Sequence, residues 1–372
     1  MDTTGLLGYK TKNAIIADII RDLIVKGSFK KGDKLLPDDV LAAKYQVDKR
    51  TVAAGLNTLV EEGLLERAPR RGTIVVKDMK EGKTVSNAVG MVMLSKGDVY
   101  GDLNLKISQG LMRSKLYPVL INESIVIDHW DCVGKYLDNM CVKGQRPYGL
   151  IVDGEYSFPY DYLESNPGRF ENVVFIIKYH HPQRIGTAKY ALVDFAEAGR
   201  QAAQYLIDRG HKKLACLAMD ESTREPRYAG PWSSIQVMIM QGFAEACRDA
   251  KVAFDEQTFW KLLFGAPFKE TVTAYMKGED RPDAFFCYRD HFIRNDVLPI
   301  LEELSLNYPE DIEFVGFYDT HHAEECGFSS FRIHGDKIAD AALKLLTGET
   351  EEREIMIRPE LVIRQKVAGA KE

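Results

Sequence analysis

What this 372-residue chain lacks narrows its reading before any motif does. It has no run of eighteen apolar residues, so no membrane-spanning helix and no membrane partner are expected. The N-terminus, MDTTGLLGYKTKNAIIADII, carries an early acid and no signal-peptide cleavage pattern, which predicts a cytoplasmic protein. Six cysteines, at 132, 141, 216, 247, 287 and 326, form no CxxC pair. Neither a zinc site nor a disulfide framework is suggested, and buried free thiols are expected. There is no GxSxG elbow, no GxxxxGK(S/T) loop, no GxGxxG fingerprint and no HExxH helix. Carboxylates abound, but none pairs convincingly with a base. An enzyme is therefore not expected, nor a cofactor. His180-His181 and His321-His322 are adjacent pairs; in extended chain such neighbours point apart, so no metal is expected.

What is present divides unevenly. Residues 1–80 hold 15 Lys+Arg against 11 Asp+Glu, a balance of +4, and the remainder holds 34 against 44, a balance of -10. A mildly basic head on an acidic body fits a nucleic-acid contact confined to the head. The length suggests two or three domains. The pattern places a head at 1–77, a polar connector at 78–87 within KDMKEGKTVSN, and a body at 88–372.

In the head, Ile15, Ile16, Ile19, Ile20, Leu23 and Ile24 recur at helical spacing and predict a helix over about 10–26. Pro37, Asp38 and Asp39 suit the start of a second helix, where acids meet the positive dipole end. Asp48 is a good N-cap for a third, with Val52, Leu56, Leu59 and Val60 as its buried stripe. LLER and TIVV then read as strands joined through APRRG. Three helices and a hairpin make a winged helix-turn-helix, an α+β unit whose third helix enters the major groove. Lys49, Arg50 and Thr51 begin that helix, and Arg70, Arg71, Gly72 and Thr73 form the wing tip, suited to phosphates or an adjacent minor groove.

The stretch GSFKKGDKLLPDDVLAAKYQVDKRTVAAGLNTLVEEGLLERAPRRGTIVV resembles the GntR-type winged-helix domain. Its KKGDKLLP turn, VxxxTV helix entry, EEGLLER step and RGT wing carry the likeness, which implies operator DNA as partner. By position, Lys49 takes the family's helix-entry Arg, Thr51 keeps its Thr, and Arg71-Gly72-Thr73 keeps the wing tip. Three positions depart: Asp48 stands where Ser is usual, and Ala53 and Val40 replace arginines. Each lost phosphate contact flattens the salt dependence of binding by roughly one unit.

From Ala88, short apolar runs alternate with amphipathic segments. Strands are predicted over 88–94, 117–121, 148–152, 173–177, 190–194, 212–218, 283–288 and 312–317, with helices between them. This alternation predicts α/β structure, and about 280 residues favour two doubly wound subdomains with a cleft between them. Ligands in such folds sit beyond the carboxyl ends of the strands. Four stretches, at 190–218, 241–247, 281–320 and 357–366, resemble the LacI-type sensor domain, the type I periplasmic-binding-protein fold. A GntR-type head on a LacI-type body is similar to the arabinose-responsive repressors.

That resemblance implies a small effector, a sugar, and places Asp290 on its hydroxyls, since a carboxylate accepts two charge-assisted hydrogen bonds. Arg289 beside it suits a carboxylate, phosphate or sugar oxygen. Asp194 reads equally as a helix cap or a ligand contact. Asp319 reads as a ligand contact or as a hinge residue at an inferred crossover. Trp232 and Tyr100 are candidate stacking platforms, and Lys178 closes a strand near the expected cleft. No Arg occupies PWSSIQVMIMQGF, where the family commonly holds its sugar. The expected function is a ligand-responsive repressor of carbohydrate-use genes, acting as a homodimer on two-fold operator DNA. Two other readings stay open: a sensor whose head binds a protein, and an α/β enzyme with an accessory head.

Overall fold

A computed structural model describes residues 11–25, 28–68, 71–76, 85–93, 98–121, 130–141, 145–154, 158–179, 184–219 and 235–364. The chain forms two compact units, one of residues 1–86 with 141–146, the other of 87–140 with 147–372.

The first unit begins with α1 (Lys12–Val25), α2 (Asp38–Tyr45) and α3 (Lys49–Glu61). It ends with the hairpin β1 (Leu65–Ala68) and β2 (Gly72–Val75), paired antiparallel. Its core joins Ala17, Ile20 and Ile24 of α1 to Val52, Leu56 and Leu59 of α3. Gly55 sets how closely these helices approach, because a Cβ there would stand 2.7 Å from the Asn13 carbonyl oxygen. Lys34 bridges to Ile74, so the turn before α2 adds a third short strand to the wing.

The second unit holds two six-stranded sheets. The first has the order β4 (Tyr117–Ile121), β3 (Val85–Val92), β5 (Arg146–Asp153), β6 (Asn172–Ile177), β7 (Lys189–Val193), β13 (Glu354–Ile357). The second runs β9 (Ala253–Asp255), β8 (Lys213–Leu217), β10 (Ala284–Cys287), β11 (Glu313–Phe317), β12 (Ser329–Arg332), β14 (Glu360–Val362). The second sheet is parallel apart from β14, which lies antiparallel on β12. The chain passes between the sheets three times: after β7 at Asp194, between β12 and β13, and between β13 and β14.

The helices cover these sheets. They are α4 (Asp98–Arg113), α5 (Trp130–Asn139) and α6 (Phe158–Ser165), then α7 (Phe195–Asp208), α8 (Ile235–Ala250), α9 (Glu256–Leu263) and α10 (Phe268–Lys277). Next, α11 runs Asp290–Phe292, widens into a π-helical turn over Ile293–Val297 and recovers over Leu298–Glu303. Pro299 has no N–H for the ladder and its ring crowds the preceding turn, which accounts for the widening. The chain closes with α12 (His321–Cys326) and α13 (Gly335–Thr347).

One helix pair is unusually close. A Cβ on Gly199 of α7 would fall 1.9 Å from the Ile239 carbonyl oxygen, and one on Gly242 of α8 would fall 1.8 Å from that of Ala196. The two backbones therefore touch, and only glycine fits at either position.

Several predicted elements gain neighbours that periodicity does not reveal. β9, β12, β13 and β14 span three or four residues each, and β12 begins with two buried serines. The short helices α6, α9 and α12 also fall outside the predicted set. Asp319, expected at a crossover, is not at one: after β11 the chain stays with the same sheet through α12 and β12. Among the described residues, Cys216, Cys247 and Cys287 are buried, Cys141 and Cys326 are partly buried, and none of the five is in a disulfide. Burial pushes Cys247 and Cys287 up to about 12, which keeps both as unreactive thiols.

At the start of β11, buried Glu313 accepts a hydrogen bond from Arg209 Nε at 2.7 Å and lies 2.8 Å from His211 Nε2. Burial alone would raise its pKa, but hydrogen bonds from His211 and Arg209 outweigh this and hold it below the usual range. A depressed folded value makes this contribution complete above the unfolded pKa and removes it as pH falls through the folded one. Replacing Glu313 with Gln should cost about 2 kcal/mol at neutral pH, and the gap from wild type should narrow below about pH 4.3. Urea unfolding at pH 7 and pH 3 checks this; an equal gap at both refutes it.

Candidate DNA interface and effector site

The head interface is built on the start of α3. Asp48 Oδ1 accepts from the Thr51 backbone N–H at 2.9 Å, and Thr51 Oγ1 donates to Asp48 Oδ2 at 2.7 Å. These two bonds lower the pKa of this exposed acid, so it is firmly ionised beside Lys49 and Arg50. The cap turns the Thr51 hydroxyl toward Asp48, while Lys49 and Arg50 stand exposed. At the wing, Gly72 has φ +86°, the left-handed conformation that suits glycine at a hairpin tip. Arg71 is exposed, and Arg70 lies outside the described residues. Thr73 is only 6% exposed, because β2 turns its side chain inward; the expectation of an outward contact there does not match its placement.

Two further head residues bear on the interface. Lys34 is exposed, and its Cε stands 2.6 Å from where a Gly72 Cβ would be, so its aliphatic stem lies along the wing tip. Its only sequence signal is the KKGDKLLP turn. Arg67 of β1 donates to Asn57 Oδ1 at 3.0 Å and to the Ala53 carbonyl at 3.4 Å, and pairs with Asp38. It ties the wing to α2 and α3, so the tip and the reading helix are held in one arrangement. Nothing in the periodicity marks it. Val40, in place of an arginine, is 43% exposed and offers no charge.

In the body, the strand ends gather charged residues. Asp290 opens α11 after β10 and is 1% exposed. Ser330 Oγ donates to its Oδ1 at 2.7 Å, and the Thr320 N–H donates to Oδ2 at 2.7 Å. Gly316 makes room for it, since a Cβ there would stand 2.1 Å from Asp290 Oδ1. The carboxylate thus braces the ends of β11 and β12, a role the sequence reading did not assign. Burial raises its pKa to about 6 against the lowering effect of Thr320 and Ser330.

Asp319 follows with φ +48°, after Tyr318 at +92°. Left-handed backbone at two consecutive non-glycine residues is strained and persists only where surroundings enforce it. Here Arg332 Nε donates to Asp319 Oδ2 at 2.7 Å, and Arg364 Nη1 lies 2.6 Å from Oδ1. Those arginines end β12 and follow β14, so one carboxylate joins two strands that lead to and from crossovers. Arg289 lies over the rings of Tyr288 and Tyr318, 5.2 and 5.5 Å from their centroids, and the two tyrosine hydroxyls are 3.1 Å apart. Cation and rings form one polar, partly open corner.

On the other sheet, Lys178 follows β6 and is 4% exposed. Ile177 before it has φ +69°, rare for a β-branched residue. Only glycine fits at 154, because a Cβ there would fall 1.6 Å from the Lys178 carbonyl oxygen. Asp153, at the end of β5, is fully buried in the same region; its sequence signal is an acid closing the apolar run YGLIV. Asp194 caps α7, its Oδ1 accepting from the Glu197 N–H at 3.0 Å. Trp232, His180 and His181 lie outside the described residues, as does the Tyr100 side chain. His321 and His322 open α12 and are not in extended chain, so the premise that their side chains diverge does not hold.

Two matches account for most of this architecture. Residues 12–75 match the gntR family of bacterial regulatory proteins, and residues 203–367 match the periplasmic binding protein-like domain. The chain thus joins a head that matches the gntR family to a periplasmic-binding-protein-like body. It is 23% identical over 364 residues to the arabinose metabolism transcriptional repressor of Geobacillus stearothermophilus, covering 92% of this chain and 93% of that protein. It is 29% identical over 183 residues to the HTH-type transcriptional repressor PurR of Vibrio vulnificus (strain CMCP6). That match covers 46% of this chain and half the length of PurR. A solved transcriptional regulator CelR–cellobiose complex superposes with a TM-score of 0.56 at 21% identity, covering 96% of this chain and 99% of that one. At that identity the likeness is one of fold. The relatives are transcriptional repressors, and no catalytic family is indicated.

The raised Asp290 value generates a prediction. An acid with a folded pKa above its unfolded one loses its proton first in the unfolded chain, so stability falls as pH climbs between the two values. Wild-type protein should therefore lose stability between about pH 4 and pH 6 through this group, and Asp290→Asn should flatten that slope. Denaturant midpoints taken across this range decide it; an unaltered slope refutes the assignment.

Proposed function

We propose that this chain is a ligand-responsive transcriptional repressor, binding operator DNA through the winged head and a small sugar in the body. The observation that carries the reading is one chain that pairs an exposed Lys49–Arg50 helix start with a two-sheet body crossed three times. Lys49, Arg50, Arg70, Arg71 and Lys34 supply charge for phosphates and base edges, with Gly72 shaping the wing tip. Thr51 contributes through its cap bond, and Thr73 through the fold of β2. In the body, Arg289 offers donors to a sugar's oxygens and Tyr288 and Tyr318 offer apolar ring faces, and Lys178 and Asp153 are charged residues at strand ends of the other sheet. Asp290, Asp319 and Asp194 shape this region. A ligand that prefers one arrangement of the two sheets shifts the equilibrium, and DNA biases that equilibrium reciprocally.

The same reading makes the protein cytoplasmic, non-enzymatic and dimeric. No helix among the described residues is long and apolar enough to cross a membrane. Leu105 and Met112 of α4 and Tyr117, Val119 and Leu120 of β4 are exposed, and β4 is an edge strand. An uncovered apolar face at an open edge supports pairing of two bodies. Uncharged Val40 and Ala53 favour a second reading, a head that docks on a protein.

Salt separates the two. Operator affinity of the wild type should fall steeply with salt, and replacing Lys49 and Arg50 by Glu should weaken it at least about 100-fold and flatten the slope by roughly two units. Fluorescence anisotropy on selected DNA sites measures both; unchanged affinity in the double variant would sink the docking. A thermal-shift panel of pentoses, hexoses and sugar phosphates tests the body. A ligand at about a hundred times its Kd adds roughly 2.7 kcal/mol, and silence across the panel argues against a sugar effector.

A further inference from the structure

His321, His322 and Glu325 form a group of metal-ligating side chains that the regulatory reading does not use. Each offers one donor atom, and the three donors lie within 4.8 Å of one another. The helix explains the grouping. Glu325 is four residues from His321 and three from His322, the spacings that bring side chains to one helix face. The imidazole rings lie side by side, centroids 3.9 Å apart and planes at 43°. A second observation points to a ligand: His322 Nδ1 is buried without a hydrogen-bond partner. A buried polar atom left unsatisfied calls for an ion, a water or a cost, and this one belongs to a side chain of the three-residue group.

We infer that His321, His322 and Glu325 bind one divalent cation of the zinc class. Two imidazoles and a carboxylate suit zinc, nickel or cobalt and are poor for magnesium or calcium, which take oxygen ligands. Tetrahedral ligation at about 2.0–2.1 Å requires the donors to close together, which the exposed His321 and Glu325 side chains allow by rotation. Three protein ligands leave the fourth position to water. The site begins one residue after Thr320, whose N–H holds Asp290, and two after Asp319, pinned between Arg332 and Arg364. Metal here fixes the start of α12 and with it the strained turn leaving β11.

The test uses tag-free, full-length protein stripped with a chelator, then titrated with Zn2+ by calorimetry and with Co2+ by visible absorption. Wild type should bind one equivalent that H321A/H322A loses, with four-coordinate cobalt bands appearing only in the wild type. E325Q, a change at an exposed position that leaves the helix intact, should weaken that equivalent about tenfold and guards against a misfolded double variant. Retention of the same equivalent by H321A/H322A, equal affinity in E325Q, or no uptake by the wild type at about 100 µM metal each overturns the assignment.

Discussion

A buried carboxylate governs the second sheet. Asp290 sits at the end of β10, accepts from Ser330 on β12 and Thr320 after β11, and lies over Gly316. Three strand ends are thus referred to one side chain. An ionised group removed from water is costly unless its oxygens are satisfied, and here both are. The strain at Tyr318 and Asp319 is tolerated for the same reason: the turn that carries it is held by Asp290 at its far end and by Arg332 and Arg364 at Asp319.

The head shows a smaller version of this economy. Asp48 caps α3 and fixes the Thr51 hydroxyl, while Arg67 reaches from β1 to Asp38, Asn57 and the Ala53 carbonyl. Lys49, Arg50, Arg71 and Lys34 are exposed cations of this surface that the framework does not use. Where arginines are missing at 40 and 53, charge is supplied from the edges of the surface instead of its middle.

Much of this was legible in the sequence. Apolar spacing marks α1 and α3, Asp48 announces its helix, and a strand such as VVFII stands out because it is buried on both faces, whereas YPVLI shows the same apolar run on an exposed edge strand. Both domain types were legible too, through the GntR-like turn and wing and the LacI-like strand-to-helix step at 281–320. The site was less legible, because its geometry depends on distant pairings. Ser329 and Ser330 look like a loop until Arg364 and Asp290 satisfy their hydroxyls. Asp290 matches a ligand position by motif, yet its inward burial follows from Gly316, twenty-six residues away in sequence. Arg67, Lys34 and Asp153 carry no periodic signal, and the convergence of His321, His322 and Glu325 exists only once that segment is a helix.

The contact of α7 with α8 through Gly199 and Gly242 has a mechanical meaning. Two helices meeting backbone to backbone have no side-chain layer between them to slide or compress. The crossover at Asp194 feeds directly into α7, so a twist delivered there enters a stiff beam. The chain that leaves the first sheet at that crossover therefore runs without a joint into the most closely packed helix pair of the second.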